Sequence, residues 1–347
     1  MRRFRFLRNP PASGLGGDVE AFLRYLGGPS CIFLEGADSS RCRAFVTLLH
    51  GNEPSGARAL FRWLKSGQQV AVNTVCILAS VEAALASPLF SHRMLPGTPD
   101  LNRCFRPPFT GPQGLLAEEI LELLALHRPE AVVDMHNTSG SGPAFAVCTH
   151  MDRQHEALAS LFTRCLIVTR LNLGALMEIS DHGCPTVTIE VGGRMDAEAH
   201  QLAYEGLCRY LLRPRILARD DRDQGLELLQ DPIRLELNPG VRLTCGERAA
   251  PGFDVTLRPD IEQLNFGTVS AWTPLGWVSG ELRRLFRARD AGGGCAVARL
   301  VREEGGRLYP AAPLKLFMIT GNAAIAASDC LFYAVEVAAP PPAWKPD

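Results

Sequence analysis

The sequence has no long hydrophobic run. No uninterrupted apolar segment approaches the roughly 20 residues that a membrane-spanning helix needs. The N-terminus, MRRFRFLRNPP, is basic but lacks the continuous apolar stretch of a secretory signal. We therefore expect neither a membrane partner nor secretion.

An excess of charge of one sign is also missing, because 36 Lys and Arg residues stand against 37 Asp and Glu residues. The resulting net charge of −1 gives no reason to expect nucleic acid as a partner. With 46% hydrophobic and 21% charged residues, the 347-residue chain has the composition of an ordinary globular protein. Its length suits one large domain or two.

Paired cysteine motifs are absent. The 11 cysteines include no C-x-x-C pair, and their odd number excludes complete internal pairing. This pattern favours reduced, mostly buried thiols in a cytoplasmic protein. The G-x-S-x-G of a serine-hydrolase elbow and the glycine-rich phosphate-binding motifs are absent too, so the sequence does not support those chemistries.

The first two-thirds of the chain alternates short apolar runs with helix-like segments. Near-continuous apolar strands that alternate with helices indicate an α/β domain with a largely buried, mostly parallel sheet. The predicted strands cover 31–36, 44–51, 70–80, 130–137, 165–171 and 185–193. The predicted helices cover 53–67, 114–127 and 197–212.

The character of the sequence changes after Leu212. The segment that follows is charged and contains proline, as linkers often do. Short alternating runs come next, and the Glu-Glu-Gly-Gly-Arg stretch inside one of them is typical of a hairpin turn. We predict a larger domain over 1–212, a linker over 213–225 and a smaller β-rich domain over 226–347. The short runs cover 233–238, 241–247, 253–260, 295–310 and 330–337.

Histidines follow two of the predicted strands. His50 comes after Phe-Val-Thr-Leu-Leu with Glu53 three residues later, and His136 ends another strand 83 residues after Glu53. The carboxyl ends of strands in open α/β sheets are where ligands bind. Two His and one Glu with an open fourth position are typical of a catalytic zinc ion, whereas a structural zinc site closes with four ligands. The sequence therefore predicts one zinc per chain, although this ligand set also accepts other divalent ions.

Two carboxylates accompany the predicted ligands. Asp134 lies two residues before His136, on the same side of the strand, where it could orient the imidazole. Glu190 lies in the apolar strand Pro-Thr-Val-Thr-Ile-Glu. It is either the partner of a buried Arg or a general base that takes a proton from water and returns it to the leaving amine.

Three further polar residues are candidates for substrate contacts. Asn102 and Arg103 are framed by apolar residues, and the planar fork of an Arg suits a substrate carboxylate. Arg93 could polarise the scissile carbonyl, although an Arg is usually a surface charge. For each histidine taken alone, an ordinary loop hydrogen bond is the competing interpretation.

Four motifs in order, HGNE, DLNR, DMHNTSG and IEVGG, resemble the succinylglutamate desuccinylase/aspartoacylase family of zinc-dependent deacylases. The resemblance covers about residues 31–195 and implies a three-layer α/β/α domain of the zinc-carboxypeptidase kind over 1–212. It implies that His50, Glu53 and His136 bind zinc and that Glu190 is the catalytic carboxylate. The same resemblance implies that Asn102 and Arg103 hold a substrate carboxylate and that Arg93 polarises the carbonyl.

Two departures from aspartoacylases concern the substrate. Those enzymes carry an Arg about ten residues before the catalytic Glu, whereas this chain has no Arg close to that position, which is near Ser180. They also use a C-terminal Tyr, which the comparable stretch 314–327 lacks. These departures argue against N-acetyl-aspartate as the substrate, and the loop 137–145 is expected to shape the acyl pocket.

The expected activity is hydrolysis of an amide bond in a small, carboxylate-bearing N-acyl compound. A metallocarboxypeptidase would use the same ligands, and a C-terminal domain that caps the site would favour the deacylase. The motifs are also compatible with an esterase or deacylase for another small molecule and with a silent binding relative. The sequence leaves the oligomeric state open, a homo-oligomer included.

Overall fold

A computed structural model describes residues 4–138, 140, 142–170, 172–217, 225–290, 292–323, 326 and 330–337. The chain divides into two compact units. The first contains the described residues up to 138 and from 143 to 228, and the second contains those from 229 onward together with Gly140 and Gly142. The predicted linker over 213–225 lies partly outside the described residues.

The first unit is built on one nine-stranded sheet with the spatial order β1-β2-β4-β3-β5-β8-β6-β7-β9. Five neighbouring pairs are parallel, whereas β2–β4 and β6–β8 are antiparallel. The predicted mixed, mostly parallel sheet is therefore confirmed. Its strands are β1 Arg5–Arg8, β2 Ser30–Leu34, β3 Asp38–Thr47, β4 Val72–Leu78, β5 Val132–Thr138, β6 Phe145–Cys148, β7 Cys165–Val168, β8 Thr186–Gly193 and β9 Glu227–Gln230.

Helices cover both faces of this sheet. Phe45 of β3 packs into one apolar cluster with Trp63, whereas its neighbour Val46 packs into a second cluster with Ile120. Successive strand residues point to opposite faces, so the two clusters define three layers. The helices are α1 Val19–Leu26, α2 Ser55–Ser66, α3 Val81–Leu85, α4 Gly111–His127, α5 Arg153–Ser160 and α6 Ala197–Leu212, with 3₁₀ turns at Ala12–Leu15, Leu101–Arg103 and Leu176–His182.

No helix in the described ranges combines the length and the apolar content that a membrane crossing requires. The predicted helices over 53–67, 114–127 and 197–212 correspond to α2, α4 and α6. The sequence pattern did not predict β1, β6, β9, α1, α3 or α5. These elements are short, and β1 has exposed arginines at both ends, so an apolar pattern hardly marks it.

The second unit consists of two five-stranded sheets, so the expected β-rich region is present. One sheet has the order β13-β18-β19-β10-β15 and the other the order β11-β12-β14-β17-β16. The strands are β10 Ile233–Leu237, β11 Leu243–Cys245, β12 Val255–Leu257, β13 Thr268–Val269, β14 Gly276–Val278, β15 Phe286–Arg287, β16 Val301–Glu304, β17 Arg307–Pro310, β18 Leu314–Phe317 and β19 Phe332–Glu336. Short helical segments among its described residues include α7 Leu282–Leu285, α8 Val297–Leu300 and the 3₁₀ turn Ile261–Leu264.

The run over 295–310 was predicted to be β-structure, and only its second half is. Gly305 and Gly306 form the expected hairpin turn between β16 and β17, with φ of 59° and 79°. The preceding residues are not a strand, however, because Val297–Leu300 is a helical turn. Val297 and Leu300 are both buried, and their spacing of three residues places them on one side of such a turn.

Arg43 in β3 joins the sheet to the end of α6, and its replacement tests how much this buried contact stabilises the fold. Its fully buried guanidinium donates to Glu130 Oε1 at 2.7 Å and to the carbonyls of Tyr210, Arg213 and Pro214 at 2.7–2.9 Å. Arg43→Met would leave these acceptors without their donor. We expect it to lower the free energy of unfolding by about 3–5 kcal/mol, measured by urea denaturation.

Arg41 supplies the matched control. It also bonds Glu130, at 3.2 Å, but its side chain is 35% exposed. Arg41→Met should therefore cost less than about 1 kcal/mol. Equal losses of stability in the two variants would contradict the importance given to the buried guanidinium.

Candidate metal centre and active site

The residues that end β3 and β5 meet at one edge of the sheet. These strands are parallel neighbours, with Thr47 opposite Met135, so the segments after them leave the sheet side by side. The chain turns sharply after β3, where Leu48 has φ of 54°. Gly56 lets α2 begin close to the sheet, because a Cβ at that position would overlap the Thr47 hydroxyl.

His50, Glu53 and His136 converge at this edge and are all buried, with one potential ligand atom from each lying within 4.8 Å of the others. Glu53 lies between the two imidazoles. Its Oε1 is 2.9 Å from His50 Nδ1, and its Oε2 is 2.7 Å from His136 Nδ1. The three side chains that the sequence singles out as ligands are therefore adjacent in the fold.

The outer nitrogen of each imidazole contacts a second carboxylate. His50 Nε2 lies 2.8 Å from Asp100 Oδ1, and His136 Nε2 lies 2.8 Å from Asp134 Oδ2. A neutral imidazole that donates through Nε2 presents a lone pair at Nδ1. Both Nδ1 lone pairs would then face the oxygens of the Glu53 carboxylate. Such lone pairs repel one another unless a cation lies between them. The donor set therefore fits a metal ion.

The charges of the cluster support this fit. Burial alone lowers the pKa of His136, but the carboxylates of Asp134 and Glu53 outweigh it and raise that pKa well above its usual value. Burial would raise the pKa of Glu53, yet the two imidazoles lower it. The buried Oδ1 of Asp134 has no hydrogen-bond partner among the described residues. When both imidazoles are neutral, the carboxylates around them leave negative charge that a divalent cation would balance.

Glu190 stands beside the cluster on the next strand. It is the register partner of His136 in the parallel pair β5–β8, so the two side chains share a face of the sheet. Its Oε2 is buried and accepts no hydrogen bond from the described residues. Burial raises the pKa of Glu190 to about 7, with His136 acting in the opposite direction. A carboxyl with that pKa exchanges protons near neutral pH.

Arg93 also reaches the centre. Its guanidinium donates to Glu53 Oε1 at 3.3 Å and to Asp100 Oδ2 at 3.0 Å. The Arg93 carbonyl accepts from Gly51 N at 2.9 Å, which ties this loop to the segment between two predicted ligands. The side chain is about one-third exposed and so remains accessible to solvent.

Asn102 and Arg103 lie beyond Asp100 in a short 3₁₀ turn. Asn102 is buried, and its Oδ1 accepts from Leu176 N at 3.0 Å. This bond fixes the amide so that its Nδ2 donors point the other way. Arg103 is exposed and donates to the Asn102 carbonyl at 2.7 Å.

Residues 46–209 match the model of the Succinylglutamate desuccinylase/Aspartoacylase catalytic domain. This segment belongs to the family's catalytic domain. The family consists of hydrolytic deacylases, and the matched segment contains every one of the site residues described above. No curated protein sequence matches the chain.

Crystal structures with a fold similar to that of this chain include those of three proteins. One is the succinylglutamate desuccinylase from Chromobacterium violaceum, with 15% identity and a TM-score of 0.56, covering 90% of this chain and 89% of that chain. Another is the succinylglutamate desuccinylase/aspartoacylase from Rhodobacter sphaeroides, with 14% identity, a TM-score of 0.53 and coverage of 84% and 83%. An aspartoacylase family protein from Mesorhizobium loti has 15% identity, a TM-score of 0.51 and coverage of 90% and 96%. At these identities the likeness concerns the fold.

Asp100 is a carboxylate of the candidate site that the sequence did not predict. Asp100 opens the DLNR motif, bonds His50 and caps the following turn by accepting from Asn102 N at 2.8 Å. Burial would raise the pKa of Asp100, but His50 and Arg93 hold it below its usual value. Its position at the start of the polar DLNR motif is the feature of the sequence that could have marked Asp100 as a site residue.

Ser180 lies near the position where the resemblance to aspartoacylases leads one to expect an Arg. It is buried, and its Oγ bonds the backbone of Thr186 at 3.0–3.2 Å and lies 3.1 Å from His155 Nε2. Its hydroxyl therefore holds the start of β8. The loop 137–145 was expected to shape the acyl pocket. Its residues 139 and 141 lie outside the described residues, so this stays a prediction.

Proposed function

We propose that this deacylase is a zinc-dependent amidohydrolase that removes the acyl group from a small N-acylated amino acid or a related carboxylate-bearing compound. The observation that carries the proposal is the convergence of His50, Glu53 and His136 beside Glu190. Two imidazoles and one carboxylate are a ligand set that zinc uses in hydrolases. The family match supports deacylation as the class of reaction.

His50 and His136 would hold zinc through Nδ1, and Glu53 through its carboxylate. When bound, zinc supplies a Lewis acid that activates water and polarises the acyl carbonyl. Asp100 and Asp134 hold the outer imidazole nitrogens at 2.8 Å, which fixes the tautomer and the ring orientation.

Glu190 carries the proton in this reaction. Its carboxylate takes a proton from the attacking water as the water oxygen bonds to the acyl carbon. It then delivers that proton to the amine nitrogen as the C–N bond breaks. Arg93 lies beside the same carboxylates and would stabilise the negative charge that develops on the carbonyl oxygen.

Asn102 and Arg103 would bind the carboxylate of the amine half. The bond from Leu176 N to Asn102 Oδ1 leaves the Asn102 Nδ2 donors for an anionic ligand. The exposed Arg103 adds a positive charge and a planar pair of donors. Ser180 is uncharged and so cannot bind a second substrate carboxylate as an Arg would. This favours substrates in which the enzyme binds one carboxylate.

The proposal is tested with a panel of N-acyl amino acids, short peptides and acylated small molecules that lack a carboxylate. Zinc-loaded protein should hydrolyse one class of N-acyl amino acid and leave the other two groups largely intact. Turnover of peptides would instead indicate a carboxypeptidase. Turnover only of compounds without a carboxylate would contradict the roles given to Asn102 and Arg103.

Arg103→Leu should raise KM for the preferred substrate about 10- to 100-fold, because a charge-assisted bond is worth about 1.5–3 kcal/mol. The value of kcat should change much less, since the bond forms in the ground state as well as in the transition state. Arg106→Leu is the matched control, because Arg106 is exposed, lies three residues further along the chain and bonds Asn172. A similar rise in KM in both variants would mean that only long-range charge matters.

A further inference from the structure

Asn137 is a buried residue that directly follows His136. Its amide group makes three hydrogen bonds. Oδ1 accepts from Ser55 N at 3.0 Å, and Nδ2 donates to Ser55 Oγ at 2.8 Å and to the Gly192 carbonyl at 2.9 Å. One side chain thus joins three separate segments of the first unit.

Each of these segments carries one part of the candidate centre. Ser55 lies two residues after Glu53, and Gly192 lies two residues after Glu190. Asn137 itself adjoins His136, and its backbone N–H also points at Glu53 Oε2, at 3.4 Å. The amide therefore ties two of the metal-binding segments to the strand of the proton-transfer residue.

The strand pairing is irregular at this point. His136 pairs with Glu190, but Thr138 pairs with Gly193, so β8 has one extra residue between these pairs. Gly192 lies in this bulge with φ of 107°. Bulges leave a backbone group outside the regular ladder and commonly re-aim side chains near active sites. The Asn137 amide satisfies the bulged Gly192 carbonyl.

The orientation of the Asn137 amide is fixed by its neighbours. Ser55 Oγ lies 2.7 Å from His200 Nδ1. Burial, together with Arg58, lowers the pKa of His200, and its Nδ1 holds the Ser55 hydroxyl in place whichever of the two groups donates. The Ser55 oxygen then presents lone pairs to Asn137 Nδ2. A flipped amide would set an oxygen against the Gly192 carbonyl instead.

We propose that Asn137 is a positioning residue that fixes the distance between Glu190 and the metal-binding residues by holding the β8 bulge against the start of α2. The inference rests on the proposed function, because it assigns Glu190 the proton transfer. The Asn137 side chain bonds Ser55 and Gly192. It makes no hydrogen bond to the predicted metal ligands or to the Glu190 carboxyl.

Asn137→Leu removes all three side-chain bonds while keeping the branching and the number of side-chain heavy atoms. Small displacements of a catalytic group cost about 100-fold in rate, and loss of a group that orients metal ligands costs about 10- to 100-fold in affinity or activity. At saturating zinc we expect kcat to fall at least about 10-fold with KM changed less than about threefold. The dissociation constant for zinc should rise about 10-fold or more.

Two variants complete the experiment. Ser55→Ala removes only one of the three bonds and should give a fall in kcat between wild type and Asn137→Leu. Tyr210→Phe is the matched control, because the buried Tyr210 hydroxyl also joins two segments of the sheet. It donates to the carbonyls of Ala44 in β3 and of Ala131, which directly precedes β5 and lies five residues before His136. It should lower the thermal midpoint but keep kcat and the zinc dissociation constant within about twofold.

The outcomes separate the two proposals. If the wild type hydrolyses none of the panel, the proposed function fails, and zinc affinity alone then decides the role of Asn137. Values of kcat and zinc affinity within twofold of wild type in Asn137→Leu would overturn the inference. If that variant does not fold, unchanged values in Ser55→Ala would overturn it equally. Losses in Tyr210→Phe as large as those in Asn137→Leu would show a general effect of destabilisation.

Discussion

Glu190→Gln is expected to lower kcat/KM by about 10²- to 10⁴-fold, the usual contribution of a general acid–base residue, while the protein still binds one metal ion. Glutamine has nearly the shape of glutamate but neither takes up nor releases a proton at the pH of the assay. The Glu190 carboxyl neighbours His136 across β5 and β8 and has a buried oxygen with no donor among the described residues. Its loss should therefore affect the chemistry more than the fold.

The pH dependence of kcat/KM in the wild type is a second test of proton transfer by Glu190. Burial raises the pKa of Glu190 to about 7, and a bound divalent cation would lower it by stabilising the carboxylate. The ionised form accepts the proton, so kcat/KM should fall as the pH is lowered through this pKa. We expect the midpoint of this acid limb at or below about pH 7. Glu190→Gln should remove the limb from its residual activity.

Glu130→Gln is the control for this substitution. Glu130 precedes the strand of His136 but binds Arg41 and Arg43, away from the candidate centre. The control should lose stability and keep kcat/KM. Normal turnover by Glu190→Gln would refute proton transfer by Glu190, and loss of its metal would place Glu190 among the ligands.

Glu53→Gln is expected to weaken metal binding by more than about 100-fold, because loss of an outer residue alone costs about 10- to 100-fold. Glu53 is the hub of the cluster, with one carboxylate oxygen 2.9 Å from His50 and the other 2.7 Å from His136. The amide keeps the shape but removes the negative charge that attracts the cation. Metal content after dialysis and a competitive titration with a chelator measure the effect.

Asp134→Asn is the graded comparison for the metal site. Asp134 contacts His136 Nε2 at 2.8 Å on the side away from Glu53. It should weaken metal binding by about 10- to 100-fold, which is less than Glu53→Gln. Tight binding of one metal ion per chain by Glu53→Gln would contradict the assignment of the ligands.

The sequence predicted the sheet and its active edge because the relevant strands are nearly continuous apolar runs. The apolar run after Arg43 and the run before His136 are both typical of buried parallel strands. Once these strands are parallel neighbours, His50 and His136 must lie at the same edge. The contact between Asp134 and His136 follows from the two-residue period of a strand.

Other parts of the site depend on long-range geometry that a sequence pattern does not contain. Asp100 reaches His50 across 50 residues, and only the course of the loop after Arg93 brings it there. Asn137 looked like a loop residue because its partners, Ser55 and Gly192, come together only in the folded sheet. The bulge at Gly192 is a local slip in register that an apolar pattern does not mark.

The measurement that tests the central claim most directly is reconstitution of the chelator-treated protein with zinc. Hydrolysis of the preferred N-acyl amino acid should be absent without metal and should rise linearly with added zinc. We predict an endpoint at one equivalent per chain, since His50, Glu53 and His136 form a single three-residue set. Full activity without zinc, or an endpoint that persists in Glu53→Gln, would contradict a catalytic zinc at this site.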